Sequence, residues 1–217
     1  LTLEELEDIK KAYSKSSSIL FVDFNRRFSP LAIKAKNLLE NNKLPKAINF
    51  NINSGEIDKK SWVQDINIGG GRIIGEVCHF IDFLIFLTQS EVSTWNVVNM
   101  DNDTNDTVSI SLKFKDGSIG NINYFSNGNN KYPKENIEVF CGNKVLKLEN
   151  FLNLKGYGWT RFKSKKLWSQ NKGHGKAIRD FISSTQNEGC SSVSFEEIYN
   201  VSKLSIEISN KILGINN

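Results

Sequence analysis

The stretch Gly69-Gly-Gly-Arg72-Ile-Ile-Gly75-Glu76-Val-Cys78-His79-Phe-Ile-Asp82-Phe-Leu-Ile-Phe-Leu87 decides how this chain is read. It is the most apolar run in the sequence, opened by three glycines and closed by Gln89-Ser90. Glycines leading into a long apolar segment predict a helix whose first turn packs close to another backbone or a ligand. At ~3.6 residues per turn, Arg72, Gly75 with Glu76, His79, and Asp82 with Phe83 share one stripe. The remainder, from Ile73 and Ile74 through Val77, Phe80, Ile81, Leu84 and Ile85 to Leu87, is apolar, so the helix reads as buried. Polar groups on a buried helix must be satisfied or used. Two readings stay open. One is an internal network in which Arg72 pairs with Glu76. The other is a catalytic site on His79, one of only two histidines and a group that exchanges protons near neutral pH.

Toward the N-terminus, Thr2-Leu-Glu-Glu5 is a capping box, with Leu3, Leu6, Ile9, Ala12 and Tyr13 on one helical face behind it. Ile19-Leu-Phe-Val22 is an apolar run of strand length, of the kind covered on both faces in a parallel sheet. Ser29-Pro30 predicts a capping serine with proline at the first helical position, followed by Leu31, Ala35, Leu38 and Leu39 as an apolar face. Residues 1–41 therefore predict helix–strand–helix, the tail of an α/β unit. No Gly-x-Gly-x-x-Gly follows a strand anywhere.

Beyond Pro45 the period changes to two. Ile48, Phe50 and Ile52 alternate with asparagines, and Val108, Ile110, Leu112 and Phe114 alternate with polar residues. Val92–Asn99 reads as a strand. Asp116-Gly117 and Gly142-Asn143 mark hairpins, so the sheet is expected to be largely antiparallel with one solvated or partner-facing side. Asn127–Lys134 and Asn150–Gly158 read as loops. Two helices close the chain, one behind Gly173-His174-Gly175, the other behind a second capping box, Ser194 with Glu197.

A chain of 217 residues with 39% hydrophobic and 24% charged residues is ordinary for a soluble globular protein. A net charge of +4 and one basic cluster, Arg161–Lys166, suit a solvated edge better than a nucleic-acid footprint. Neither a nucleic-acid nor a membrane partner is expected, since Ile73–Leu87 is too short and too polar to span a bilayer. Cys78, Cys141 and Cys190 form no Cys-x-x-Cys, so no metal site is expected, and reduced thiols fit a cytoplasmic location. The acidic N-terminal helix pattern shows no signal peptide. His174, between two glycines, reads as a structural or exposed loop residue. Trp159 and Trp168 flank the basic cluster and are read as core or edge residues rather than stacking platforms.

Phe24-Asn-Arg-Arg-Phe-Ser-Pro30, the Gly69–Asp82 run, the opening Leu-Thr-Leu-Glu-Glu-Leu and the final Phe195-Glu-Glu-Ile-Tyr199, taken in order, resemble the Gfo/Idh/MocA oxidoreductases. The resemblance implies an α+β fold with an open, mostly antiparallel sheet packed against helices. Residues 1–41 would be the remnant of a Rossmann domain, and residues 42–217 a substrate-binding and oligomerisation domain. It implies an enzyme using NAD or NADP on a sugar, inositol or sugar-derived substrate, and a homo-oligomer formed through the sheet face. His79 matches the family's proton-exchanging histidine, with Glu76 as its orienter. Arg26 and Arg27 match the basic segment at the mouth of the site, and Asn25 and Arg26 would border the cofactor. Trp62 and Asp65 precede the glycines in a segment that contacts substrate, and Arg72 and Asp82 on the His79 stripe complete that set. Three features depart from the pattern. The glycine-rich dinucleotide loop and the Glu-Lys-Pro lysine are absent, and the aspartate four residues before the histidine is Gly75. These departures keep a second reading in play, a non-catalytic binding or oligomerisation module.

Overall fold

The computed structural model describes residues 1–40, 43–58, 60–186 and 192–215; Cys190 lies outside them. Five helices, α1 (Leu3–Ser14), α2 (Pro30–Glu40), α3 (Cys78–Thr88), α4 (His174–Gln186) and α5 (Phe195–Leu213), pack around one sheet. Its eight strands are β1 (Ala47–Asn53), β2 (Val92–Asn99), β3 (Val108–Phe114), β4 (Ile119–Phe125), β5 (Glu135–Cys141), β6 (Lys144–Glu149), β7 (Asn153–Tyr157) and β8 (Ser164–Lys166). The spatial order is β2-β3-β4-β1-β5-β6-β7-β8. Only β1 and β4 run parallel; every other neighbouring pair is antiparallel. The fold is α+β with an open, mostly antiparallel sheet, as the alternating patterns predict.

One sheet face is apolar and covered. α5 lies against β2, α3 against β4, and α2 against β6 and β7. Rings form a spine between α3 and the sheet: Phe50 meets Phe80 at 4.9 Å and Phe83 at 5.7 Å, and Phe83 meets Phe151 at 5.5 Å. All four are fully buried, and burial of aromatic area on this scale dominates core energetics. Both capping boxes form, Thr2 with Glu5 and Ser194 with Glu197. α1 seats on α5 through Tyr13 stacked on Phe195 at 4.1 Å.

Five features differ from or refine these expectations. Residues 19–22 form no strand, because among the described residues no strand runs beside them to complete a ladder. Pro30 does open α2, but the Ser29 hydroxyl is buried without a hydrogen-bond partner, and only the Ser29 carbonyl accepts, from Ile33 N at 3.0 Å. Residues 150–158 contain β7 rather than only loop; β6 offers a free edge that their backbone completes. The basic cluster supplies β8, an exposed edge strand whose lysines discourage further strand pairing. Finally, the central helix is not uniform. Gly70 and Gly71 hold φ of +70° and +74°, so regular helix cannot start before them, and Ile73–Val77 is π-helical before α3 takes over at Cys78.

Arg27 and Asp82 are both buried and joined by two hydrogen bonds, one from Nε at 3.0 Å and a shorter one from Nη2, with Glu197 at 3.3 Å from Nη1. Removing one partner leaves a buried charge uncompensated. Arg27→Ala is expected to lower stability by ~3–5 kcal/mol, read by urea unfolding, with much of the loss recovered when Asp82 is also replaced by leucine.

Candidate functional site

A single turn of 3-10 helix, Asn25–Phe28, builds one wall of the site. Arg26 donates to Glu135 through Nε at 3.0 Å and Nη2 at 3.1 Å, and its guanidinium lies 4.6 Å from the Phe80 ring centre. Lys172 adds a third donor to Glu135 at 2.6 Å. Burial works to raise the Glu135 carboxyl, but Arg26 and Lys172 outweigh it and hold it below the ordinary range. Gly173 fastens the start of α4 onto the same turn: a Cβ there would stand 2.3 Å from the Asn25 carbonyl oxygen and 2.6 Å from the Ser29 nitrogen.

Asp23, Asn25, Arg26, Glu76, His79, Lys172 and His174 line a cleft of about 310 Å³. His79, on the first turn of α3, meets Phe24 edge-on at 6.0 Å between ring centres. Its Nδ1 is buried and has no hydrogen-bond partner. Burial first, and the positive charge of Arg26 second, push its pKa down to about 4, so the ring is neutral at neutral pH. The adjacent Cys78 thiol is pushed up to about 12 by burial and is no nucleophile. Glu76, in the π-helical segment, accepts from the Tyr124 hydroxyl, from Lys134 Nζ at 2.6 Å and from Arg72 Nη2 at 3.5 Å. Burial opposes ionisation of Glu76, but Lys134, Tyr124 and Arg72 outweigh it and hold the carboxyl at about 2. Those partners occupy Glu76, and no hydrogen bond to the His79 Nδ1 orients the ring. His174 stands at the mouth, its side chain 64% exposed, with Nδ1 3.3 Å from Asp23 and Nε2 3.2 Å from the Asn25 amide nitrogen. The amide donates, so Nε2 accepts and Nδ1 carries the proton toward Asp23.

The structure thus brings Asn25, Arg26, Glu76 and His79 together and places the other anticipated residues elsewhere. Arg27 and Asp82 pair on the opposite side of the Asn25–Phe28 turn. Trp62 is exposed, and Asp65 shapes its own loop: Oδ1 accepts from Asn67 N at 2.8 Å, and its carbonyl accepts from Gly69 N at 2.8 Å. Arg72 reaches the Gly55 carbonyl at 2.7 Å and Asp106 at 3.4 Å, and it lines a separate cavity of about 440 Å³ with Gln64 and Ile66. The Asn25 amide is spent on the Lys172 carbonyl and His174, and Arg26 Nε and Nη2 on Glu135, so both shape the wall beside a ligand. Lys134, Lys172, Glu135, Tyr124 and Asp23 were not anticipated. Glu135 and Tyr124 carried a signal, since the alternations Glu135-Ile137-Val139 and Ile122-Tyr124 point both inward.

The model of the GFO/IDH/MocA C-terminal domain matches residues 33–147, and the chain belongs to that family. No curated protein sequence matches it. Among solved structures, it is similar to the dehydrogenase MviM from Clostridium difficile, with TM-score 0.78 and 22% identity over 97% of this chain and 68% of that one. UDP-N-acetylglucosamine 3-dehydrogenase GnnA from Acidithiobacillus ferrooxidans superposes with TM-score 0.78 at 16% identity, over 99% of this chain and 68% of that one. Levoglucosan dehydrogenase in complex with NADH gives TM-score 0.77 at 19% identity, over 97% and 69%. These likenesses establish the fold. The chain spans about two thirds of the length of each.

A histidine whose folded pKa lies below its ordinary 6.5 takes up its proton on unfolding. The stability this gives is present in full above pH ~6.5, falls as pH drops toward about 4, and changes no further below. Wild type is expected to lose up to ~3 kcal/mol more than His79→Gln between those limits, read by denaturant unfolding at stepped pH. In proton NMR the His79 ring should titrate near pH 4.

Proposed function

We propose that this chain is the substrate-binding part of an NAD(P)-dependent oxidoreductase acting on a sugar, inositol or sugar-derived hydroxyl or carbonyl. Residues 1–41 serve as the end of its dinucleotide-binding domain. The observation that carries this reading is His79: a neutral imidazole in the lining of the cleft, held by a helix whose other side is packed core. Family membership and the sugar- and NADH-related titles of the structural neighbours support it.

The cleft fits the reacting end of such a cofactor and not its phosphates. Around His79 there is a wall from Asn25 and Arg26 to border the nicotinamide, whereas the sequence has no strand followed by Gly-x-Gly-x-x-Gly to cradle a pyrophosphate. When bound, NAD or NADP supplies the hydride acceptor or donor. His79 takes the proton of the substrate hydroxyl as the carbonyl forms and returns it in the reverse direction. Depressed basicity keeps the imidazole free to accept at neutral pH. Fixed placement on α3 supplies orientation. Lys134 and Glu76 present a donor and an acceptor to neighbouring substrate hydroxyls. In the protein with a nucleotide-binding half, His79→Ala is expected to lower kcat by ~10²–10⁴-fold with little change in KM. Unchanged turnover would remove His79 from the mechanism and favour the binding-module reading.

The assembly proposed is a homo-oligomer through the uncovered sheet face. That face mixes cross-strand hydrogen bonds, from the Asn123 amide to Asn51 at 2.8 Å and from the Ser111 hydroxyl to Asn121 at 2.9 Å, with exposed Val98, Ile119, Phe125, Phe140 and Tyr157. Aromatic anchors in a polar surround are what association surfaces carry. Phe140→Asp is expected to shift the sedimentation-velocity mass to that of the monomer; a wild type that sediments as a monomer at all concentrations would refute the assembly.

A further inference from the structure

Among the described residues, every cation at the His79 cleft already has a carboxylate. Arg26 and Lys172 share Glu135, Lys134 is on Glu76, and Arg72 lies between Glu76 and Asp106. With Asp23, the carboxylates at the cleft are Asp23, Glu76 and Glu135, three against the three cations Arg26, Lys172 and, on Glu76, Lys134. The two arginines of the Asn25–Phe28 turn are both withdrawn, Arg27 on Asp82 and Glu197 and Arg26 on Glu135.

We propose that the cleft selects an uncharged polyhydroxyl substrate over an acidic or phosphorylated one, with the Lys134–Glu76 and Lys172–Glu135 pairs as the specificity determinants. This rests on the reading of the cleft as a sugar site. A hydroxyl both donates and accepts, so it can bridge an ammonium and a carboxylate without separating them. The Lys134–Glu76 pair offers that edge, with side chains 39% and 23% exposed. An anion instead competes for the cation. Taking Lys172 leaves Glu135, with no exposed surface, short of one counter-charge. Taking Lys134 leaves a half-buried Glu76 to Arg72 and Tyr124 alone. Breaking one partner from a buried pair is costly even where the pair itself adds little. Charge balance therefore acts by exclusion: the neutral ligand keeps every ion pair, and the anion must break one.

Both histidines of the chain line the cleft, so their ring protons report on it directly. The test is proton NMR of the 217-residue chain titrated with myo-inositol and glucose, then with glucuronate and glucose 6-phosphate, using His174→Ala to assign the two signals. The neutral probes are expected to shift the His79 resonance with apparent affinities at least about tenfold better than the anions. Anions that bind as well or better overturn the charge argument while leaving the sugar-site reading intact. If no probe of either class moves either histidine, both fall. In a second arm, Glu76→Gln releases Lys134 and is expected to raise glucuronate affinity by about tenfold. No gain in a folded variant counts against the proposal. Should that variant not fold, the wild-type comparison decides alone.

Discussion

Two adjacent arginines, Arg26 and Arg27, face opposite ways from one tight turn, and the rest of the architecture is tied to them. In a 3-10 turn successive side chains point about 120° apart, so neighbours cannot share a target. Arg26 reaches the sheet at Glu135 beneath the Phe80 ring, and Arg27 reaches α3 at Asp82 and α5 at Glu197. Both guanidinium groups are nearly sealed from water, at 5% and 7% exposure. Such pairs add little net stability over apolar replacements, but they tolerate no half measure: if either carboxylate moves away, a charge is left in the core. The turn therefore has one position relative to sheet and helices, and α4 inherits it through the close contact at Gly173.

The candidate site is a by-product of that anchoring. Asp23, Asn25 and Arg26 arrive with the turn, Lys172 and His174 with the start of α4, and Glu76 and His79 with the central helix. The arginine that secures Glu135 also faces His79, and its charge adds to burial in keeping the imidazole unprotonated. The π-helical segment before α3 places Glu76 where it gathers Tyr124, Lys134 and Arg72 instead of contacting His79. Irregular helical turns of this type recur at functional sites because they re-aim side chains that a regular helix would stack. His79 keeps its free nitrogen for that reason.

The sheet divides the molecule into a packed side and an open side. Toward the helices it presents Phe50, Ile110, Ile122 and Leu146; away from them it presents asparagines, serines and a few exposed rings. Period-two alternation makes this division automatic, and it keeps the open face apart from the cleft.

Much of the fold was legible in the sequence, because the signals are local. The β1 and β3 alternations, both capping boxes, the hairpins and the buried central helix each depend on residues within a few positions of one another, as does the link between the glycines and the helix start. The histidine and the polar stripe were legible for the same reason. What escaped depends on distant partners. Residues 19–22 have the composition of a strand, but a strand exists only beside another backbone, and β7 forms from an unpromising sequence because β6 supplies one. Which arginine meets which carboxylate, Arg26 with a residue 109 positions away and Arg27 with one 55 away, was settled by packing alone. By itself the sequence determined most of the elements, the apolar face and the polar stripe that carries His79. Only the tertiary structure decided which charges are already paired with one another, because pairing between buried ions is set by through-space distance and desolvation, neither of which a linear order contains.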